Sequence, residues 1–224
     1  MRSSGLATIT DSTLSGNNSG NNGGGIRAYG GAVVTNSTIS DNVALGGGGI
    51  DSNNAVTLVY ATITGNSGAA NIEIGDDLTS FGSVVAQGAG STPNCFVEGS
   101  TTSNGYNVDD DGTCGFGSGP GDHSDLTTAL GLAALAANGG VGQTQLPAAS
   151  SPLVDKIPTA SCGAGAGITT DERGVTRPQG SACDIGAVEL STTSPTSSTT
   201  STTATSSTTA TPASAVEATP AFTG

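Results

Sequence analysis

Hydrophobic and polar positions alternate in short runs along the first part of the chain, and the runs recur. The clearest copies are residues 11–17, 36–42 and 61–66, with the sequences DSTLSGN, NSTISDN and ATITGN. A glycine run closed by isoleucine follows the first two copies, at 23–26 and 47–50. The period of about 24 residues predicts a solenoid in which each coil stacks on the one before it.

Alternation within each copy predicts short β-strands that stack in parallel. With Leu14, Ile39 and Ile63 as equivalent positions, the residues five and seven places earlier are aliphatic or small in every copy. These side chains are expected to form columns inside the coils. A column outside the coils is expected from the threonines Thr13, Thr38 and Thr62.

Asparagine stands three residues after each of these positions, at Asn17, Asn42 and Asn66. It tolerates left-handed backbone, and its amide both donates and accepts hydrogen bonds, so stacked copies predict a ladder at a corner. Val85 marks a looser fourth coil, with Gly88 where asparagine is expected. The pattern predicts an all-β, right-handed parallel β-helix, because right-handed winding is the rule for parallel crossovers.

Composition divides the chain into three parts, with the predicted coils in residues 1–88. Residues 89–190 contain all four cysteines and irregular spacing, and we predict a C-terminal continuation that caps the open end of the solenoid. Residues 126–137 are the only helix-like run, with Asp125 as its N-cap. Residues 191–224 are almost entirely Ser, Thr, Ala and Pro, which predicts a disordered stalk or linker.

Charge narrows the classes of partner. The formal net charge is −13, and no basic residue lies between Arg27 and Lys156. Surfaces that bind phosphates need clustered Lys and Arg, which argues against nucleic acid and against anionic membranes and polyanionic sugars. No run is long and apolar enough for membrane insertion. We expect a monomer.

Cysteine usage indicates the compartment. The four cysteines allow three connectivities, and pairing sequence neighbours closes the shortest loops, so we predict the bridges Cys95–Cys114 and Cys162–Cys183. Disulfides indicate an oxidising, extracellular or cell-surface setting. The sequence begins without an apolar signal run, which suggests a fragment of a longer exported protein or a mis-set start. Residues 219–224 resemble part of a sortase sorting motif.

Candidate metal and catalytic chemistry is sparse. In the loop between Cys95 and Cys114, the acidic run 109–111 is either a solvated turn or a weak Ca²⁺ site. The Ca²⁺ ligands would be Asn107, Asp109 and Asp111. No other cofactor is indicated.

The densest opposite charges lie near the end of the predicted cap, with Glu189 close by. They favour Arg–carboxylate pairs that hold its loops together, rather than an active site. The residues are Asp171, Arg173, Arg177 and Asp184.

The C-terminal third resembles a known bacterial domain. Its segments are GYN at 105–107, LAANGGVGQT at 135–144, SPLVD at 151–155, DERGVTRP at 171–178 and CDIGAVE at 183–189. Together they resemble the choice-of-anchor Q domain, which follows right-handed β-helix repeats carrying STI-x-x-N and GGGI. The resemblance covers about residues 6–190. It implies an exported, pectin-lyase-like fold next to a surface anchor, with no established activity or ligand.

These observations favour a non-enzymatic, exported or cell-surface protein used for adhesion or structural display. Its partner would be a surface carbohydrate or a host or cell-envelope protein. One alternative is a carbohydrate-binding or polysaccharide-degrading β-helix enzyme whose active site is missing from this chain. Hydrolysis needs carboxylates at a set separation. The coils offer Asp11, Asp41 and Asp51, and Arg27 is the one basic residue within the repeats. A third hypothesis is a passive spacer next to an anchor.

Overall fold

The computed structural model describes residues 1–86, 92–163 and 167–191, which belong to one compact unit, Met1–Thr192. Gly88, the predicted tail beyond residue 191 and the ending 219–224 lie outside the described residues. Within them the fold is all-β, as the sequence predicted, and helical structure is limited to one 3₁₀ turn, Thr159–Ser161. The predicted right-handed winding stays a prediction.

The described residues form strands β1 to β15, each two to six residues long. In chain order they are β1 (Arg2–Ser3), β2 (Ala7–Thr10), β3 (Thr13–Ser15), β4 (Ile26–Ala28), β5 (Ala32–Thr35), β6 (Thr38–Ser40), β7 (Gly47–Ser52), β8 (Val56–Val59), β9 (Thr62–Thr64), β10 (Ala70–Ile74), β11 (Leu78–Phe81), β12 (Val84–Ala86), β13 (Cys95–Val97), β14 (Thr101–Ser103) and β15 (Val108–Asp109).

Every third strand belongs to the same sheet, which is the topology of a parallel solenoid. Sheet A has the order β1-β4-β7-β10-β13, sheet B β2-β5-β8-β11-β14, and sheet C β3-β6-β9-β12-β15. All of these pairings are parallel. Strands β13 to β15 continue the stacking into the region that the sequence assigned to the cap.

The predicted register is confirmed in sheet C. Leu14 pairs with Ile39, Ile39 with Ile63, and Ile63 with Val85. The residues seven places earlier also stack as predicted, in sheet B, where Ala32 pairs with Val56. The register holds because shifting a strand by one residue would turn its buried side chains out to solvent.

Two hydrophobic clusters form the core. The first fills the coils with stacked aliphatic side chains, including the fully buried Ile26, Ile50 and Ile72. The second lies between the outer side of the coils and the C-terminal region, where Tyr60 and Phe81 meet edge to face at 5.5 Å. The C-terminal region is therefore packed along the solenoid as well as at its end.

Contacts along sheet C explain this packing. Thr13, Thr38 and Thr62 stand in one column as predicted, but Thr38 and Thr62 are buried rather than exposed. The Thr38 hydroxyl donates to Glu172 at 2.5 Å, and the backbone N–H of Ala187 donates to the Thr62 hydroxyl at 2.9 Å. The outer threonine column is thus the surface on which the C-terminal region docks.

The helix predicted for residues 126–137 is wrong. The segment contains no helix and instead makes isolated antiparallel bridges, Leu132 with Pro147 and Ala136 with Thr144. Gly131 has a φ of 64°, which a right-handed helix does not allow, and the proposed N-cap Asp125 has a φ of 59°. Burial of Leu130 against the second cluster replaces the helical packing.

Candidate functional site

A row of polar, charged and aromatic side chains runs along the outer face of sheet A. Each strand contributes one residue, and neighbouring strands are about 4.8 Å apart, so the side chains form a continuous line across the coils. The row consists of Arg2, Arg27, Asp51, Glu73 and Phe96. The first two are cations, the next two are carboxylates, and the last is an aromatic ring.

One end of the row opens into a cavity of about 670 Å³. Its lining includes Arg2 and Arg27 from β1 and β4, Tyr29 just after β4, and asparagines of the loop before β4. The guanidinium carbons of Arg2 and Arg27 lie 5.2 and 4.6 Å from the centre of the Tyr29 ring. Arg2 also donates to the Tyr29 hydroxyl at 2.6 Å. The lining asparagines are Asn17, Asn18, Asn21 and Asn22.

Tyr29 reports the positive character of this end. The Arg27 guanidinium beside the phenol lowers the pKa of Tyr29, partly opposed by desolvation, and Arg2 acts in the same direction as Arg27. Two guanidinium groups around one ring favour an anionic or acceptor-rich ligand.

A second cavity, of about 300 Å³, continues the groove towards the other end of the row. It shares Asn22 and Arg27 with the first cavity, so the two are adjacent. Glu73, Glu98 and the half-exposed ring of Phe96 line its far side. We refer to the two cavities together as the sheet A groove.

The centre of the groove contains an ion pair and an unsatisfied carboxylate. Arg27 pairs with Asp51, whose side chain is buried, and the backbone N–H of Gly47 donates to the same carboxylate at 3.4 Å. Glu73 lies on the next strand, and its Oε2 is buried without a hydrogen-bond partner among the described residues. A Cβ at Gly46 would meet carboxylate oxygens of both Asp51 and Glu73, so the two carboxylates lie close to this glycine. A bound donor would satisfy the Glu73 oxygen.

Sequence reasoning missed most of this groove. It noted Arg27 and Asp51 separately, and it did not single out Arg2, Tyr29, Glu73 or Phe96. The available signal was position: Arg27, Asp51 and Glu73 each follow an isoleucine of the inner column. Alternation then puts them side by side on the outer face of sheet A, where the sequence had predicted no site.

The predicted asparagines lie at one corner and form a hydrogen-bonded chain, in which Asn42 and Asn66 are buried and Asn17 is exposed. The Asn17 side chain donates to Asn42 Oδ1 at 2.9 Å, and that of Asn42 donates to Asn66 Oδ1 at 2.8 Å. The next rung comes from Asn71, which accepts from Asn66 at 2.6 Å. The role of these residues in the structure is stacking of coils.

The oxygens of the three Ca²⁺ candidates already accept hydrogen bonds from other groups of the protein. The Asn107 amide oxygen lies inside another corner, where it accepts from the Ser80 hydroxyl at 2.7 Å and from the backbone N–H of Ser83 at 3.1 Å. Asp109 is buried and accepts from the backbone N–H of Gly112 and Asp125. Its pKa is raised by burial.

Asp111 accepts at 2.8 Å from a backbone N–H on a neighbouring coil, that of Asn94. These carboxylates brace the turn that Cys95 and Cys114 close. Among residues 1–86, 92–163 and 167–191, no group of three or more His, Cys, Asp or Glu side chains is arranged to hold a metal ion.

The charged residues between positions 171 and 189 form two ion pairs. Arg173 donates from two nitrogens to one carboxylate oxygen of Asp171, at 2.8 and 2.9 Å. Arg177 pairs at 2.9 Å with Glu189, and both side chains are fully buried. The Asp184 carboxylate accepts from backbone N–H groups, including that of Leu190 at 2.6 Å.

Arg177 also fastens this region to the coils. Its guanidinium lies 4.1 Å from the centre of the Tyr60 ring, and the Tyr60 hydroxyl donates to the carbonyl of Cys162 at 2.6 Å. Burial lowers the pKa of Arg177 and raises that of Tyr60 to about 12. The arrangement is consistent with a structural role for these charges, because the pairs are closed off from solvent.

Glu172 is a further buried acid that the sequence did not single out. It accepts hydrogen bonds from the hydroxyls of Thr13 at 2.8 Å and Thr38 at 2.5 Å. Burial raises its pKa to about 7, while the two hydroxyls act in the opposite direction. The docking of the C-terminal region therefore depends on a carboxyl group that titrates near neutral pH.

The predicted disulfides are confirmed, as Cys95–Cys114 and Cys162–Cys183. Both indicate an oxidising, extracellular environment. The described residues contain no helix with the length and apolarity that a bilayer crossing requires. No family model supports the choice-of-anchor Q resemblance, and neither a curated protein nor a solved structure matches the chain.

Proposed function

We propose that this chain is part of a non-enzymatic, exported, cell-surface β-helix protein that binds surface carbohydrate in the sheet A groove. The row from Arg2 to Phe96 is the observation that carries the proposal. It offers charged groups, amides and an exposed ring along one face, which is the chemistry that a chain of sugars needs. Sugar rings have apolar faces for aromatic contact and hydroxyls for hydrogen bonds.

Export to the surface is supported by two observations. The two disulfides fit an oxidising compartment. The motifs at 135–144, 151–155, 171–178 and 183–189 resemble the choice-of-anchor Q domain, whose relatives are exported β-helix proteins next to surface anchors. An acidic surface with a net charge of −13 also keeps such a protein soluble outside the cell.

A binding role is favoured over polysaccharide cleavage by the state of the groove carboxylates. Asp51 is buried and ion-paired with Arg27. A carboxylate held in this way is poorly placed to exchange a proton or attack a sugar carbon. The Glu73 carboxylate lines the same groove and takes part in no ion pair among the described residues, so it is suited to accepting a hydrogen bond from a ligand hydroxyl.

The test is binding of the purified chain to immobilised plant, bacterial and host glycans, with Phe96→Ala as the groove variant. Leu45→Ala is the matched control, because Leu45 is also an exposed hydrophobic residue but lies outside the groove lining. We expect saturable glycan binding that Phe96→Ala weakens and Leu45→Ala does not, with no new reducing ends. Release of reducing ends or unsaturated products would replace the proposal with the enzyme alternative. If the chain binds a glycan preparation only when that preparation has not been treated with protease, its partner is a protein.

A further inference from the structure

We infer that the sheet A groove has a positively charged end and a negatively charged end, and that it selects an oligosaccharide that carries a carboxylate at one end only. The acidic sugar would lie at Arg2, Tyr29 and Arg27, and neutral sugars would lie over Glu73 and Phe96. This inference rests on the proposed carbohydrate binding and names the ligand class.

The cationic end is unusual for this chain. Arg2 and Arg27 are the two basic side chains before Lys156 in a protein of net charge −13, and both lie against one ring, Tyr29.

Arg2 is exposed and has donors to spare. A guanidinium has five N–H groups, and the one bond described for Arg2 goes to Tyr29. A carboxylate is the sugar substituent that uses such donors best, through charge-assisted hydrogen bonds.

The other end of the groove excludes a second carboxylate. Glu73 and Glu98 both line the far cavity, and Glu73 Oε2 is buried without a partner among the described residues. A neutral sugar hydroxyl can donate to these two carboxylates, whereas a ligand carboxylate cannot. Like charges facing each other in a groove disfavour binding, so a polyuronate is selected against.

Spacing sets the order of the sugars. Arg27 and Glu73 are two strands apart on sheet A, which corresponds to about 10 Å. A carboxylate at Arg2 and Arg27 is therefore separated from Glu73 by more than one sugar ring. The exposed ring of Phe96, one strand further, would contact the apolar face of a neutral sugar.

The experiment compares three tetrasaccharide probes by titration calorimetry at low salt. They are a neutral β-glucan tetrasaccharide, the same molecule with one terminal sugar oxidised to its uronic acid, and a tetragalacturonide. The protein variants are Arg2→Gln, Arg2→Lys and the matched control Lys156→Gln, which removes one exposed positive charge elsewhere. Unchanged circular dichroism verifies that each variant is folded.

We expect the singly acidic probe to bind about tenfold more tightly than the neutral probe, which corresponds to one charge-assisted contact. Arg2→Gln should abolish this preference, Arg2→Lys should retain part of it, and Lys156→Gln should leave it unchanged. Tetragalacturonide should bind more weakly than the singly acidic probe. Glu73→Gln should reduce the difference in affinity between these two probes.

Equal binding of the neutral and singly acidic probes, or tightest binding of tetragalacturonide, would overturn the inference. So would an Arg2→Gln effect no larger than that of Lys156→Gln. If Phe96→Ala still weakened the neutral probe in these cases, carbohydrate binding itself would stand. If none of the three probes and no glycan of the wider panel bound, the inference and the proposed function would fail together.

Discussion

Replacing Asn42 with alanine tests the corner ladder directly. The Asn42 side chain is fully buried and makes four hydrogen bonds. It donates to the Leu14 carbonyl at 2.9 Å and to Asn66 Oδ1 at 2.8 Å. Its Oδ1 accepts from the backbone N–H of Asn17 at 3.0 Å and from the Asn17 side chain at 2.9 Å. Alanine removes all four.

The size of the effect follows from which groups water can reach. Asn17 is exposed, so solvent replaces its two bonds at little cost. The Leu14 carbonyl and Asn66 Oδ1 lose a donor inside the corner, and each weakened buried acceptor costs on the order of 1 kcal/mol or more. With the small void left behind, we expect Asn42→Ala to destabilise by about 2–3 kcal/mol. For a domain of this size, that lowers Tm by about 4–12 °C.

The assay is urea and thermal unfolding followed by circular dichroism. Asn17→Ala is the matched control, because it removes the same side chain from the same ladder at its exposed end. It should cost less than about 1 kcal/mol, since its lost bonds to the Ser15 carbonyl and to Asn42 lie near solvent. Equal losses in the two variants, or no loss in Asn42→Ala, would refute the idea that burial makes the inner rungs stabilising.

Three further predictions concern the C-terminal region and the acidic turn. Burial raises the pKa of Glu172 to about 7 from 4.5, so stability should fall by on the order of 3 kcal/mol as pH rises between these values. Glu172→Gln should reduce the change of the urea midpoint with pH across that range. If the midpoint changes with pH as much as in the parent, another group is responsible. Replacing Cys162 and Cys183 together by serine should lower the free energy of unfolding, measured with urea, by about 3 kcal/mol. A free energy of unfolding equal to that of the parent would show that this bridge is dispensable. Millimolar Ca²⁺ should leave Tm unchanged, because Asp109 and Asp111 already accept backbone N–H groups, whereas a clear rise would establish the calcium site.

Local pattern was enough to predict the coils because stacking repeats the same environment at each step. The pairing of Leu14 with Ile39 and Ile63 follows from alternation and a fixed period, and each choice is reinforced by its neighbours above and below. The disulfides were also predictable, since both join nearest neighbours in sequence. Prediction failed for residues 126–137, where an alanine- and leucine-rich run suggested a helix but Gly131 takes a left-handed φ.

Local pattern is sufficient to predict the repeat, the inner columns and the asparagine corner, because these depend on contacts between equivalent positions of successive coils. Tertiary structure decided everything that joins distant segments. It buried Thr38 under Glu172, and it joined Arg177 to Glu189 and to the Tyr60 ring. It also arranged Arg2 through Phe96 in one groove. Such contacts depend on how non-repeating loops pack in space, and no local periodicity encodes that packing.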